Sequence, residues 1–328
     1  MIQIFITLII FLISIMLTGL IRGFALRKNI LDVPNVRSSH HVPTPRGGGI
    51  SFVFLFNILA LWMMLHHKIP ISLFYALLGG IVIAGVGWLD DILSVSSMWR
   101  AMIHIMIATF AVYCIGGLSN FNVMFSYPFA VICIVWCINL YNFMDGIDGL
   151  AGVEGLFISL CVALMLGNSG VGLLCFLFAG AIGGFLVWNW PPAKIFMGDV
   201  GSSYLGYIFS VLAIATANLN MLPLTFWIII SAIFLCDTTF TVLYRIYNGE
   251  RWYEAHRKHA YQRLVQCGIS HKIVTMSIYL VNIFILFPIA FTMFYYPSLS
   301  FKIVSILLVG FFVLWIFIMS QDYMDTTN

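Results

Sequence analysis

The stretch Ala130–Ile138, AVICIVWCI, runs without a break into Asn139–Gly152, NLYNFMDGIDGLAG. An apolar run thus leads straight into Asn139, Asn142, Asp145 and Asp148, each three residues after the last. Read as a helix, a three-residue step drifts only about 60°, so the four polar groups share one broad face. Two carboxylates at the end of a membrane helix are costly unless a cation or a polar ligand meets them. A helix terminus wetted by the headgroup region would carry the same residues. Gly146 and Gly149 beside the acids leave room for backbone, ligand or ion to come close.

The whole chain has the character of that run. Its 328 residues are 62% hydrophobic and 8% charged, with a mean hydropathy of +1.04. A soluble domain of this length has too little interior to hide so much apolar surface. The expected fold is therefore all-α, a polytopic integral membrane helical bundle, since the runs are long enough for helices rather than barrel strands. No internal repeat and no separate soluble domain is visible, which leaves one membrane-embedded domain over residues 1–328. Nucleic acid is not an expected partner, because no basic stripe with interleaved aromatics lies outside the apolar runs. The seven cysteines (Cys114, Cys133, Cys137, Cys161, Cys175, Cys236, Cys267) are odd in number and mostly within apolar runs. Cys133 and Cys137 could share a helix face, but no His or further Cys completes a metal set, and all seven read as small core residues.

Ile2–Ile21 is apolar and uncharged, with Arg22, Arg27 and Lys28 after it rather than before, as in a retained first span with its N-terminus outside. Ten more spans fall at about 47–66, 71–89, 101–117, 124–141, 154–167, 171–188, 201–218, 222–244, 273–295 and 300–320. The odd-numbered loops hold nearly everything basic: Arg22, Arg27, Lys28, Arg37 and Arg46 in the first, Arg100 in the third, Lys194 in the seventh. The ninth adds Arg245, Arg251, Arg257, Lys258, Arg263 and Lys272. Only Lys68 and Lys302 fall on the other side. By the positive-inside rule the odd loops and the C-terminus are cytoplasmic. The acids crowd the same side, and the opposite face has none, so the chemistry is expected at the cytoplasmic surface.

Four clusters lie there. In PNVRSSHHVPTPRGGG, residues 34–49, Arg37, His40, His41 and Arg46 offer cations or donors. Gly47–Gly49 free backbone N–H groups for an anion, although an ordinary positive loop would look alike. In WLDDILSVSSMWR, residues 88–100, Asp90 and Asp91 point about 100° apart on a helix and should not be equivalent. A solvated helix end could also carry the pair. The third cluster is Asn142, Asp145 and Asp148. In the fourth, WNWPPAKIFMGDVGSS, Pro191 and Pro192 break the chain, and Lys194, Asp199, Ser202 and Ser203 follow. Aspartates and oxygen donors without a His/Cys set point to Mg²⁺ or Mn²⁺ rather than zinc. The ninth loop, RWYEAHRKHAYQRL, adds His256 and His259; with Arg263 these fall on one side of a helix, toward the site, unless the segment is only a membrane-surface helix. His66, His67, His104 and His271 look incidental, and Asp237 looks like a helix-end partner for Arg245. Together the residues suggest metal-assisted phosphoryl chemistry on a nucleotide-type anion, with a co-substrate arriving through the bilayer.

DVPNVRSSHHVPTPRGGG, the Asp90–Asp91 pair with Arg100, NFMDGIDGLAG and NWPPAKIFMGDVGSSYLG, in this order, resemble the motifs of the polyprenyl-phosphate N-acetylhexosamine-1-phosphate transferase family over about residues 30–265. The resemblance implies transfer of a sugar-1-phosphate from a UDP-N-acetylhexosamine-type donor to undecaprenyl phosphate, with release of UMP, in the bacterial inner membrane. It implies Mg²⁺ on Asp199 and Asp90 and Asp91 acting near the lipid phosphate. Asn142, Asp145, Asp148 and Asn189 would shape the nucleotide pocket, and His256 and His259 would meet the sugar; Arg46, Arg100 and Lys194 are further candidate substrate-binding residues. The first loop and HRKHAYQRL are more similar to the branch that starts O-antigen or capsule-type glycans than to the phospho-N-acetylmuramoyl-pentapeptide transferases, which remain the alternative. Membrane lipid and a second copy of the chain complete the expected partners.

A transporter is the rival class. Ion-coupled carriers place polar sites near the bilayer midplane, often with repeat symmetry, whereas here the acids crowd one surface. A scaffold would not need so many aspartates. The charge asymmetry makes a direct prediction: a reporter fused after Asn328 is active only if it works in the cytoplasm, and an active periplasmic phosphatase there removes the eleven-span topology.

Overall fold

Apolar helices satisfy their backbone internally, so in lipid they are held together by close packing and by a few polar ties. The computed structural model describes residues 1–34, 42–119, 122–251 and 256–321. Within these, α1 (Ile2–Arg27) is followed by a two-residue ribbon, β1 (Leu31–Asp32) antiparallel to β2 (Thr44–Pro45). Then come α2 (Ile50–Leu65), α3 (Ile71–Leu93), α4 (Ser97–Ile115), α5 (Val123–Met144), α6 (Leu150–Leu166), α7 (Gly170–Asn189) and α8 (Asp199–Asn218). The chain continues through α9 (Leu224–Ile230), α10 (Ala232–Tyr247), the short α11 (Ala260–Gln266), α12 (His271–Val281), a π turn at Asn282–Leu286, α13 (Phe287–Tyr295) and α14 (Ser300–Met319).

Helix α8 is the axis. Sixteen of its twenty residues are buried, with α3 and α5 along its sides and α2 and α4 beside them. Helix α7 heads a second group with α1, α2 and α6. Polar ties cross between the helices where lipid cannot compete. The Tyr207 hydroxyl donates to the Ala76 carbonyl at 2.6 Å, and the Asn57 amide to Tyr204 Oη at 2.9 Å. Ser14 donates to the Ala181 carbonyl at 2.5 Å, and Thr18 to Ser51 at 2.8 Å. The Asn282 amide donates to Glu154 at 2.5 Å, joining the π turn to α6.

The all-α membrane architecture is as expected, and each of the eleven apolar segments is helical. Among the described residues, eight helices are long and apolar enough to cross a membrane, or nine if the bent pair α9 and α10 is one span. Helices α2 and α6, apolar but only 16 and 17 residues long, account for the other two segments. The expected span at 222–244 is not straight: α9 and α10 meet at Ser231 with a 77° bend. The end of α3 meets the start of α8, and the α5–α6 turn meets the α7–α8 connection and the start of α12. Gly48 and Gly49, just before α2, donate to the Phe196 and Met197 carbonyls of that connection.

Candidate functional site

Asp91, on the last turn of α3, reaches the start of α8. Its Oδ1 accepts the Asp199 N–H at 3.2 Å and its Oδ2 the Val200 N–H at 3.4 Å. Those are two of the N–H groups that a helix start leaves without a partner, and a negative charge is favoured there. Asp90 points elsewhere and pairs with Arg100 Nη1, which also lies 3.1 Å from Asp199 Oδ2. Arg46 is fixed by Asp32 across the β ribbon at 2.6 Å and lies 3.8 Å from Asp91. The two adjacent aspartates thus have different work: Asp91, its side chain 2% exposed, holds the helix start, while Asp90 pairs with the arginine that faces Asp199. Asp199 itself, 31% exposed, stays open beside Arg100.

The Asn139–Asp148 run departs from the expected single helical face. Helix α5 ends at Met144, and the chain turns through Asp145–Gly149, where Gly149 has φ of +76°, a conformation that suits glycine. Asn139 bonds back to the Val135 carbonyl, Asn142 donates to Ser202 on α8 at 3.4 Å, and Asp145 and Asp148 sit in the turn. Asp145 is brought to the other acids. Burial pushes its carboxyl well above the usual range, and the charges of Asp199, Asp91 and Asp148 add to that, against Arg46. Asp148 is tied down: Oδ2 accepts the Ala193 N–H at 3.0 Å, Oδ1 lies 3.5 Å from His271 Nδ1, and its carbonyl accepts the Thr275 hydroxyl. His271, at the N-terminal end of α12, therefore belongs to the site and is not incidental. Its only sequence signal is its place at the end of the ninth loop.

Two expected site residues are engaged with other partners. Asn189, 3% exposed, accepts the Gly149 N–H and donates to the Ile195 carbonyl, so its amide staples the turn to the α7–α8 connection. Lys194 rests over the Trp188 ring at 5.7 Å, beside Arg22 on the same ring, and makes no ion pair with the acids among the described residues.

The ninth loop departs too. Helix α11 starts only at Ala260, so His256 lies outside it and His259 caps it, rather than the two sharing a face with Arg263. Arg263 donates to the Gln321 carbonyl, away from the acids. Arg245 bonds Glu250, while Asp237 serves α11 instead of Arg245. His259 is 2% exposed, stacked against Phe143 and Tyr261. His256 lies 4.8 Å from the His259 ring. Burial, with His259, Arg245 and Lys258 nearby, pushes His256 down to about 3, so it is neutral at pH 7. Its Nδ1 accepts the Lys258 N–H at 3.2 Å, which leaves the proton on Nε2. That buried Nε2–H has no acceptor among the described residues and suits a ligand oxygen. Arg37, His40, His41, Glu254, Asp322 and Asp325 lie outside the described residues.

Among the described residues, Asp32, Asp90, Asp91, Asp145, Asp148 and Asp199 therefore gather around two guanidinium groups, those of Arg46 and Arg100. No group of three His, Cys, Asp or Glu forms a metal cage among the described residues. That arrangement fits a hard cation that keeps water and substrate oxygens, held by one or two carboxylates.

Residues 73–217 match the family model described as Glycosyl transferase family 4. The chain is 29% identical over 300 residues to the probable undecaprenyl-phosphate N-acetylglucosaminyl 1-phosphate transferase of Bacillus subtilis, covering 86% of this chain and 83% of the relative. It is 32% identical over 204 residues to the undecaprenyl-phosphate alpha-N-acetylglucosaminyl 1-phosphate transferase of Thermotoga maritima, 62% of each. A phospho-N-acetylmuramoyl-pentapeptide-transferase of Staphylococcus epidermidis is 28% identical over 201 residues, covering 52% of this chain and 62% of the relative.

The electrostatics give a test independent of activity. A carboxyl whose folded pKa is raised costs stability once pH exceeds its unfolded value, 3.8 for Asp145, and the cost grows until the folded pKa is passed. In metal-free buffer at pH 7.5, Asp145→Asn should raise the melting temperature by about 2–4 °C. Adding Mg²⁺, held at Asp199, should then raise the wild-type midpoint by more than the variant's, because the ion also relieves the charge around Asp145. Equal shifts in both would place the cation away from Asp145.

Proposed function

The chain belongs to the polyprenyl-phosphate hexosamine-1-phosphate transferase family, and from that premise we propose that it transfers an N-acetylhexosamine-1-phosphate from a UDP-sugar to undecaprenyl phosphate, releasing UMP. The observation that carries this reading is the excess of carboxylates over guanidinium groups, among the described residues, at one end of a membrane bundle, open beside Asp199. A lipid phosphate reaching it from the bilayer and a nucleotide from the water can meet there. The site faces the cytoplasm of a bacterial inner membrane, where UDP-sugars are made, and the product starts a cell-surface glycan of the O-antigen type that the first and ninth loops resemble.

In the reaction an oxygen of the lipid phosphate attacks the β-phosphorus of the donor. The bond from that phosphorus to the bridging oxygen breaks, and UMP leaves with the oxygen and the bond pair. Mg²⁺, or Mn²⁺ in its place, held by Asp199 with Asp90 adjacent, would supply the positive charge that a diphosphate needs beside so many acids. Arg46 and Arg100 offer guanidinium groups for the phosphate oxygens, released from carboxylate partners as the anions arrive. Asp90 bears on the lipid phosphate by position and charge rather than by removing a proton, because that phosphate has little proton left at pH 7.5. Asp91 keeps Asp199 in place. Asn142 and the Asp145–Asp148 turn border the nucleotide, and the His256 Nε2–H meets a sugar or N-acetyl oxygen.

Purified protein incubated with undecaprenyl phosphate and a panel of UDP-sugars should release UMP with at least one UDP-N-acetylhexosamine, and only when lipid is present. Asp199→Asn should abolish release while leaving the protein folded. UMP formed without lipid, or from no donor at all, overturns the reading.

His256 makes a second prediction. Loss of one hydrogen bond of this kind lowers turnover about ten- to hundred-fold in His256→Ala, with UMP affinity nearly intact. Gln keeps an N–H donor, so His256→Gln should recover part of the rate. The wild-type pH profile should show no step near 6.5 that the Gln variant removes. Weaker UMP binding in the Ala variant would instead assign this histidine to the nucleotide.

A further inference from the structure

Asp237 lies on α10, beyond the bend of the α9–α10 pair, and the proposed transfer does not use it. It is a buried carboxylate, 7% exposed, yet it is well supplied with donors. Its Oδ1 accepts the Ala260 N–H at 2.8 Å and its Oδ2 the Tyr261 N–H at 3.2 Å. The Thr241 hydroxyl donates to Oδ1 at 3.2 Å and in turn accepts the indole N–H of Trp315, on α14, at 3.2 Å. His259 Nδ1 stands 3.6 Å away.

Those two N–H groups open α11, where a helix start has no partners of its own. A seven-residue helix does not hold its shape unaided. Once held, α11 supports two parts of the site. The Tyr261 hydroxyl donates to the Phe143 carbonyl at 2.8 Å, on the last turn of α5 just before Asp145. At Gly146 the backbone comes so close to that hydroxyl that no side chain would fit. His259 is stacked on both Phe143 and Tyr261, with His256 against it. One carboxylate thus anchors α11, α11 braces the Asp145 turn, and His259 backs the histidine whose Nε2–H is open to a ligand.

We propose that Asp237 is a positioning residue for the transfer, fixing α11 so that the Asp145 turn and His256 are presented together to the donor. The proposal rests on the transfer reading of this site, and a bare stabilising role makes different predictions. A positioning residue lowers turnover more than substrate affinity, and its loss loosens α11 without loosening the axis helix α8.

The test uses the full chain in lipid nanodiscs, with undecaprenyl phosphate and UDP-N-acetylglucosamine, or whichever UDP-sugar supports UMP release, and the variants Asp237→Ala and Asp237→Asn. Asp237→Ala should lower kcat about ten- to hundred-fold with KM for the lipid within about twofold of wild type. Hydrogen exchange at Ala260 and Tyr261 should quicken by a similar factor while the α8 amides keep their protection. Asn retains one acceptor oxygen, so Asp237→Asn should fall between wild type and Ala in both readouts, and it decides the matter if the Ala variant does not fold. Wild-type turnover in Asp237→Ala, slowed turnover with unchanged exchange at Ala260 and Tyr261, or exchange spreading into α8 in both variants overturns the proposal. A wild-type protein inactive with every UDP-sugar overturns the transfer reading; the exchange measurement then still shows whether Asp237 anchors α11.

Discussion

The hydrogen bonds from the Asp199 and Val200 amides to Asp91 are the constraint on which this end of the molecule depends. They join the end of α3 to the start of the most enclosed helix in the bundle, and charge-assisted bonds in so dry a place are stronger than neutral ones. Because they are made by the backbone of Asp199 itself, its carboxylate is left free to face Arg100 and the opening. Remove the cap and both the helix start and the bearing of the exposed acid are lost together. The adjacent pair Asp90–Asp91 therefore divides into one residue that caps α8 and one that pairs with Arg100.

Among the described residues around this cap the charges do not balance. Arg46 and Arg100 are each shared between acids, and the Asp145 turn adds carboxylates without adding a cation. A soluble protein could leave the excess to water. At the edge of a membrane bundle, with Asp145 buried enough for ionisation to be disfavoured, the imbalance is a standing demand for positive charge. A diphosphate alone would make matters worse. In the proposed transfer a divalent ion arriving with the donor would reverse the sign, so that cation and anionic donor would bind with mutual help.

Much of this can be read from the chain alone, and the division has a physical cause. Charges in a chain this apolar stand out, so Asp90, Asp91, Asp145, Asp148 and Asp199 are visible as a set on one side. The helices arise from apolar runs, which is why each of the eleven segments is helical even where a bend or a short length leaves the crossing count lower. Partnerships between distant residues are another matter. That Asn189 spends its amide on Gly149 and Ile195, or that His271 stands beside Asp148, depends on how helices pack and leaves no periodic trace. The i, i+3 spacing of His256 and His259 suggests one helix face, but Asp237 begins that helix only after His259. In sequence Asp237 looks like a partner for Arg245, eight residues on, because proximity along the chain is the only proximity a sequence displays.

The cap on α8 also bears on how the protein is made. Asp91 and the amide it receives from Asp199 are 108 residues apart, so the ribosome delivers the acid long before the helix it will cap. During that interval Asp91 must wait at the membrane surface in water, while α4 to α7 are threaded one after another. This end of the bundle is complete only once α8 has packed against α3 and α5. A nascent or truncated chain that stops short of α8 has, among the described residues, only Arg46 and Arg100 to meet Asp90 and Asp91, and it lacks the amides that Asp91 caps.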